Sequence, residues 1–452
     1  MTKALPFRQS DKGTGVSGVP PDRRYRSPPY PFGDQNEDTE PESVATVHAS
    51  GRSGEIEASS TPSEDFTWGI PVNSRQRISA GGLTMRHQDS RFPPVNEDSP
   101  FSPDDRFYAE EIQLAFRNQG MPLEGLRYPI TPTRMHYLLI HFDIPHVDVE
   151  EWSLEVGGLT SKSLRLTLEE IKRRPAVTIA VTMECAGNGR ALQSPRRIGV
   201  PWQLEAVGTA EWTGTPLRGL LEEAGVRDDA VEILFTGLDR GVQGDEVQYY
   251  QRSLTIDEAS GEDVLLAYQM NGEPLSPPHG YPLRLIVPGW YGMTNVKWLD
   301  RVEAIGEPFH GYQMDKYYRI SQTADEPGEP VTLIKVRALM APPGIPDFLT
   351  RARLVEAGPV TLAGKAWAGR SGISRVEVSV DDGATWSEAE LGEQVSPYAW
   401  TAWSFGWNAT PGRYSLCVRA TDSEGNVQSV DQSWNYAGVV NNMVQRVQVL
   451  VE

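Results

Sequence analysis

The segment Val181-Thr182-Met183-Glu184-Cys185-Ala186-Gly187-Asn188-Gly189-Arg190 constrains this chain more than any other. An apolar run ends there in a cysteine and passes at once into a glycine-rich turn. Thr178, Ile179, Ala180 and Val181 have the β-branched and small-residue composition of a buried strand. Gly187, Asn188 and Gly189 tolerate positive φ and a close approach of backbone to a ligand. The segment therefore predicts a strand that delivers a thiol to a backbone bend. Successive amides in such a bend can form an anion-binding nest, to which Arg190 adds a guanidinium. A lone cysteine at a strand end is more often a small core residue than a functional one. Its surroundings have to decide.

Taken singly, the other polar residues at the edges of apolar segments also have bland readings. An isolated histidine is more often a hydrogen-bonded structural residue, and a lysine is usually a solvated surface group. Together, His141, Asp239, His279, Arg284 and Lys297 are cationic or hydrogen-bonding groups of the kind that hold a polar, phosphate-bearing ligand. The cysteine segment resembles the molybdenum-binding signature of the sulfite oxidase family of molybdopterin enzymes. The resemblance runs from about residue 120 to the C-terminus. Gly237-Leu238-Asp239, His279-Gly280-Tyr281-Pro282-Leu283-Arg284 and Val296-Lys297-Trp298-Leu299 match in the family's order and spacing.

By that resemblance Cys185 is the thiolate ligand to molybdenum, which suits a soft metal already held by the sulfurs of a pterin dithiolene. The resemblance further implies that His141, Cys185, Asp239, His279, Arg284 and Lys297 bind the cofactor. It assigns Arg190 to the substrate side and places Tyr317 beside the metal, or Tyr318 if the register slips by one. Two departures stand out. Leu139 occupies a position where sulfite-oxidising members carry an arginine, and Tyr398-Ala399-Trp400-Thr401-Ala402-Trp403 lacks a basic residue that similar proteins carry nearby. Losing two cations from a partly desolvated pocket weakens anion affinity by roughly a few kcal/mol unless something replaces them.

Composition sets outer limits. A chain of 452 residues with 39% hydrophobic content predicts two or three domains with real cores. A formal charge of −19 argues against nucleic acid or an anionic membrane as partner. No apolar run has the length of a membrane-spanning helix and no apolar leader follows the first basic residues, so the expectation is a freely diffusing cytoplasmic protein. Cys185 and Cys417 are the only cysteines, which leaves no disulfide scaffold, iron–sulfur cluster or four-cysteine zinc site. Cys417 reads as structural. No Cys-x-x-Cys-His segment offers covalent haem attachment and none resembles a cytochrome module. The expectation is therefore no haem, and electrons that leave to a separate acceptor.

Residues 1–105, rich in Pro, Gly, Ser and acidic residues, read as a largely disordered arm. A short helix is expected near Arg106-Phe107-Tyr108-Ala109-Glu110, and buried strands at 136–142 and 152–159. Helices follow at 168–172 and 217–224, and a strand at 231–235 delivers Asp239 into a loop. Pro327, Pro330 and the proline-rich stretch 341–346 mark a connection. Beyond it, Arg375-Val376-Glu377-Val378-Ser379-Val380 and Tyr414-Ser415-Leu416-Cys417-Val418-Arg419-Ala420 alternate around turns at 381–383 and 423–426.

The fold class expected is thus α+β: a mixed molybdopterin-binding domain at 106–325 followed by an all-β immunoglobulin-like sandwich at 326–452. The resemblance makes the second domain a dimerisation domain and the protein a homodimer. The function expected is oxidation of sulfite, or a related sulfur oxyanion, to sulfate by oxo transfer. The competing enzyme reading is reduction of a neutral S-oxide or N-oxide, which tolerates the missing arginines. A non-catalytic binding scaffold is the alternative from another class.

Overall fold

A computed structural model describes residues 107–348 and 350–452, all within the unit Ser79–Glu452. The expected disorder of the arm 1–105 lies outside the described residues. The expected first helix is present as Ala109–Arg117.

The first domain is built on two sheets. Strands β1 (Leu154–Gly158), β2 (Leu164–Leu166), β3 (Val177–Glu184), β4 (Val207–Pro216), β5 (Glu232–Gln243) and β6 (Glu246–Thr255) come first. They are followed by β7 (Leu265–Met270), β8 (Glu273–Pro274), β9 (Arg284–Ile286) and β10 (Leu299–Ile305). One sheet runs β2-β1-β10-β5-β6, and the other runs β3-β4-β7-β8 with β9 paired to β7. Most of β3 is buried without alternation, as its apolar sequence requires of a strand covered on both faces.

The helix Leu217–Ala224 buries Leu217, Leu220, Leu221 and Ala224, a single face at helical spacing. It stops at Gly225, whose φ of 67° is the left-handed conformation that closes a helix cheaply. Those leucines join Val156, Ile233, Phe235, Leu285 and Val302 in one core that both sheets share. Burying each such side chain contributes about 1.5–3 kcal/mol. The expected helix Leu168–Lys172 begins at a capping box, with Thr167 accepting from the Glu170 amide and Glu170 accepting from that of Thr167.

The second domain is all strand. Arg337–Ala341, Gly358–Trp367, Thr401–Ala409 and Glu390–Gln394 form one sheet, and six strands centred on Gln445–Val451, Gly412–Asp422 and Ile373–Ser379 form another. Ala338, Met340, Leu362 and Trp403 of the first sheet share a core with Val376, Val378, Leu416 and Val449 of the second.

Four expectations change. The described chain is mostly strand with few helices, so the helical part of α+β is slight. Residues 136–142 form no strand: only Leu138 bridges, to Gln119, and the Ile140 amide is satisfied by the Asn118 side chain at 2.6 Å. Their apolar content serves a cavity wall instead of a sheet. Asp239 lies inside β5 rather than in a loop, at an irregularity where the pairing with β6 shifts between Thr236 and Arg240. The stretch 341–346 links two strands within the second domain, and Arg353 donates to the carbonyls of Pro342, Pro343 and Gly344 there.

Candidate active site

Strand β3 ends at Glu184, and the chain bends sharply at Cys185. The Cys185 amide donates to Ala206, while its carbonyl accepts from the Asn188 amide, both at 2.9 Å. The three turn residues have three separate physical roles. Gly189 alone has positive φ, 90°, and a side chain there would strike the Asn441 carbonyl. Gly187 is required for space, because a Cβ would meet the Arg190 guanidinium at 2.8 Å. Asn188 acts through its side chain, donating to Glu184 at 2.9 Å and accepting from the Ala206 amide at 3.1 Å. Of the amides expected to form an anion nest, those of Asn188 and Arg190 are used inside the turn, while that of Gly187 faces the Cys185 sulfur.

Two adjoining cavities meet at Cys185, Leu139 and His141, which line both. The first is lined by all six residues expected to hold the cofactor: His141, Cys185, Asp239, His279, Arg284 and Lys297. The second is lined by Arg190, Tyr317 and Tyr318. Residues from five separate stretches of sequence therefore converge on one thiol.

The first cavity holds charge that its own walls do not neutralise. Arg284 is buried over the Trp212 ring and donates to the carbonyls of His279 at 3.0 Å and Asn295 at 3.2 Å, with no carboxylate partner among the described residues. Burial lowers its pKa to about 10. Lys297 donates to the carbonyls of Leu139 at 2.7 Å and Pro278 at 3.1 Å. Burial pushes its pKa down, Arg284 adds to that, and Asp239 opposes it; burial pushes Asp239 up while Lys297 pulls it down. Burial holds the imidazoles of His136, His141 and His279 at pKa values of about 4, 3 and 2. They are neutral near pH 7, so Arg284 carries the positive charge there.

Among the described residues, no Asp or Glu lines the second cavity. Arg190 is buried, with Nε donating to the Gly438 carbonyl at 3.0 Å. Burial works against its charge, but Tyr317, Cys185, Tyr318 and Glu111 outweigh that and raise its pKa. Tyr318 is buried, its Oη 2.8 Å from His141 Nε2, and Tyr317 meets it edge to face at 4.9 Å. Both tyrosines line the cavity, and Tyr318 is the one bonded to a cofactor-side residue. The segment 398–403 reaches neither cavity; the Tyr398 carbonyl and Trp400 amide bond to Thr182 on β3 instead.

Sequence reasoning missed Tyr137, Tyr250 and Asn295 in the first cavity and Gln243 in the second. It also missed Glu184, a buried carboxylate paired with Arg337 at 3.2 Å and bonded by Trp367 Nε1 at 2.8 Å. A glutamate beside a cysteine at a strand end was the available signal, because a carboxylate there must be exposed or paired.

The residues fit a molybdenum–pterin group. Asp239 Oδ1 and Arg284 Nε are buried without hydrogen-bond partners, an arrangement that costs free energy unless a ligand answers it. Among the described residues no three His, Cys, Asp or Glu side chains are grouped to hold a metal ion. A metal at Cys185 must then bring most of its ligands with it, as a dithiolene does.

The fold and this site are those of a molybdopterin-binding oxidoreductase. Residues 141–313 match the oxidoreductase molybdopterin binding domain, and residues 334–452 match the Mo-co oxidoreductase dimerisation domain. Mitochondrial sulfite oxidase of Mus musculus is 34% identical over 390 residues, covering 81% of this chain and 70% of that protein. An NADH nitrate reductase of Arabidopsis thaliana is 31% identical over 366 residues, covering 74% of this chain and 40% of that one. Among solved structures, the sulfane dehydrogenase SoxCD from Paracoccus pantotrophus aligns with a TM-score of 0.63 and 25% identity, over 77% of this chain and 93% of that one. The chain belongs to the sulfite oxidase family.

Proposed function

We propose that this oxidoreductase converts sulfite, or a closely related sulfur oxyanion, to sulfate and passes the electrons to a separate acceptor. One observation carries the reading: the cavity beside Cys185 presents a buried guanidinium and two phenols, with no carboxylate among the described residues of its wall. Such a pocket favours a small anion able to accept several hydrogen bonds. The reaction balances as sulfite and water giving sulfate, two protons and two electrons. The molybdenum cofactor, when bound, supplies the oxygen transfer and accepts the electron pair.

The chain's own residues divide the remaining work. Cys185 anchors the metal, while Arg284, Lys297, His279, Asp239 and His141 hold the pterin and its phosphate. Arg190 orients the anion, and Tyr317 and Tyr318 donate hydrogen bonds to its oxygens. Leu139, in the wall of both cavities, supports the second reading, reduction of a neutral S-oxide or N-oxide, because it offers such a substrate an apolar surface.

We read the two-sheet domain as an immunoglobulin-like sandwich that pairs two copies into a homodimer, and place the domain boundary near residue 326. We also propose a cytoplasmic setting, on the ground that a sequence with two cysteines is not that of a disulfide scaffold.

Anaerobic mixing of molybdenum-loaded protein with sulfite, with an artificial electron acceptor present, tests the reaction. Saturable sulfate formation with acceptor reduction is expected. A molybdenum-replete protein that leaves sulfite untouched yet reduces a sulfoxide transfers the assignment to the second reading. Arg284→Met tests the cofactor side: its loss is expected to lower the pterin and molybdenum content of purified protein by roughly tenfold or more, the scale of a lost charge-assisted hydrogen bond. Full cofactor content in that variant, measured by metal analysis and pterin fluorescence, removes Arg284 from the binding set.

A further inference from the structure

Behind the two phenols lies a cation that the site described so far does not use. Alternation along β6 puts Tyr250 and Arg252 on the same inward face. Tyr250 lines the first cavity, packs on His141 with ring centroids 4.6 Å apart, and donates to the Met293 carbonyl at 2.7 Å. Arg252 is only 2% exposed and has no carboxylate partner among the described residues. Its guanidinium donates to the Gln313 carbonyl and lies 5.7 Å from the centre of the Tyr318 ring, and its Nε is unpartnered. Burying a guanidinium without a counter-charge is expensive.

Its hydrogen-bond acceptor is informative. Gln313 begins the π-helical turn Gln313–Tyr317, which leads directly into Tyr318. Such turns are rare and concentrate at functional sites. The Gln313 side chain bonds to Gln243 at 2.7 Å, and Gln243 is itself in the wall of the second cavity.

We propose that Arg252 is a positioning residue of the substrate side: it holds the turn that carries Tyr317 and Tyr318, and it adds an uncompensated positive charge behind them that draws an anion towards Arg190. The inference rests on the anionic-substrate reading and deepens it. The dry surroundings matter, because a charge several ångströms behind the wall is screened far less there than in water.

The test compares the holoenzyme with Arg252→Met, Arg252→Gln and Arg252→Lys. Two quantities are read: sulfate affinity by titration calorimetry, and the split between KM and kcat with sulfite. Removing the charge is expected to weaken sulfate binding roughly tenfold, the scale of one cation acting across a partly desolvated gap. KM should rise by more than kcat falls. Arg252→Lys should recover most of the sulfate affinity. The double variant Leu139→Arg with Arg252→Met, which returns a cation to the cavity wall, should recover it as well.

Unchanged sulfate affinity in folded Arg252→Met or Arg252→Gln overturns the proposal. So does a lysine variant as weak as the methionine one, because geometry without charge then explains the effect. If Arg252→Met does not fold, the comparison of Gln with Lys decides the same point. A wild type that binds sulfate but does not oxidise sulfite removes the proposed reaction and leaves the calorimetric test of Arg252 intact. A wild type that binds no sulfate overturns both.

Discussion

Cys185→Ser is expected to abolish molybdenum-dependent turnover while leaving the fold in place. The substitution is close to isosteric, and the site is buried at a bend where the Gly187 amide faces the sulfur, a contact that a hydroxyl oxygen can also accept. Stability should fall by no more than about 1–3 kcal/mol, the cost of a poorly satisfied buried hydroxyl. The chemistry should suffer far more. A hydroxyl is a harder and far less acidic donor than a thiol, so the anchoring bond to a soft metal is lost. Substitutions of groups that merely support a ligand cost about 10–100-fold, and removing the ligand itself should exceed that. Parallel measurement of metal content, circular dichroism and sulfite turnover separates the outcomes. A folded serine variant with undiminished turnover would falsify the ligand assignment.

Arg337→Met should destabilise the protein by about 3–5 kcal/mol, the usual scale for removing one partner of a buried ion pair. Glu184 and Arg337 are each 1% exposed and 3.2 Å apart, so neither charge has water to fall back on. Glu184 retains the Trp367 and Asn188 hydrogen bonds after the change, but no compensating cation. The effect should reach the chemistry because Glu184 immediately precedes Cys185, and Arg337 also donates to the Asn441 carbonyl. The Asn441 side chain in turn donates to Gly189 at 2.9 Å, and the Val440 amide to Ala186 at 2.7 Å. The second domain thus clamps the cysteine turn. Combining Arg337→Met with Glu184→Gln should restore only part of the lost stability: the amide needs no counter-charge, but its NH2 cannot accept one of the two hydrogen bonds that Asn188 and Trp367 donate to the carboxylate oxygens. Denaturant unfolding of the single and double variants checks this. A loss below about 1 kcal/mol in the single variant would place the pair among those that contribute little.

Local pattern carried much of the fold. The strand into Cys185, the helices Leu168–Lys172 and Leu217–Ala224, and the alternating strands of the second domain were all legible, because each is set by hydrophobic period and by capping or turn residues within a few positions. Residues 136–142 misled for the opposite reason. An apolar run has the same composition whether it pairs in a sheet or lines a cavity, and only the neighbours decide which. The buried charges were similarly opaque. Arg252 and Arg337 have nothing in their local sequence to separate them from surface arginines, and both became buried through partners 61 and 104 residues away, respectively.

What the sequence by itself determined is the class of chemistry: a thiol at a strand end, glycines that let the chain turn tightly beside it, and cationic segments in a family's order. Those properties are local, belonging to single residues and their immediate spacing. Only the tertiary structure decided how they divide. It set the six cofactor-side residues around one cavity and Arg190 with the two tyrosines around another, with Cys185 between them. It also assigned the turn residues their separate roles, Gly189 for its φ, Gly187 for the room Arg190 needs, and Asn188 for its side-chain bonds. Burial and charge compensation depend on chain segments far apart in sequence, so they exist only once the two domains have packed.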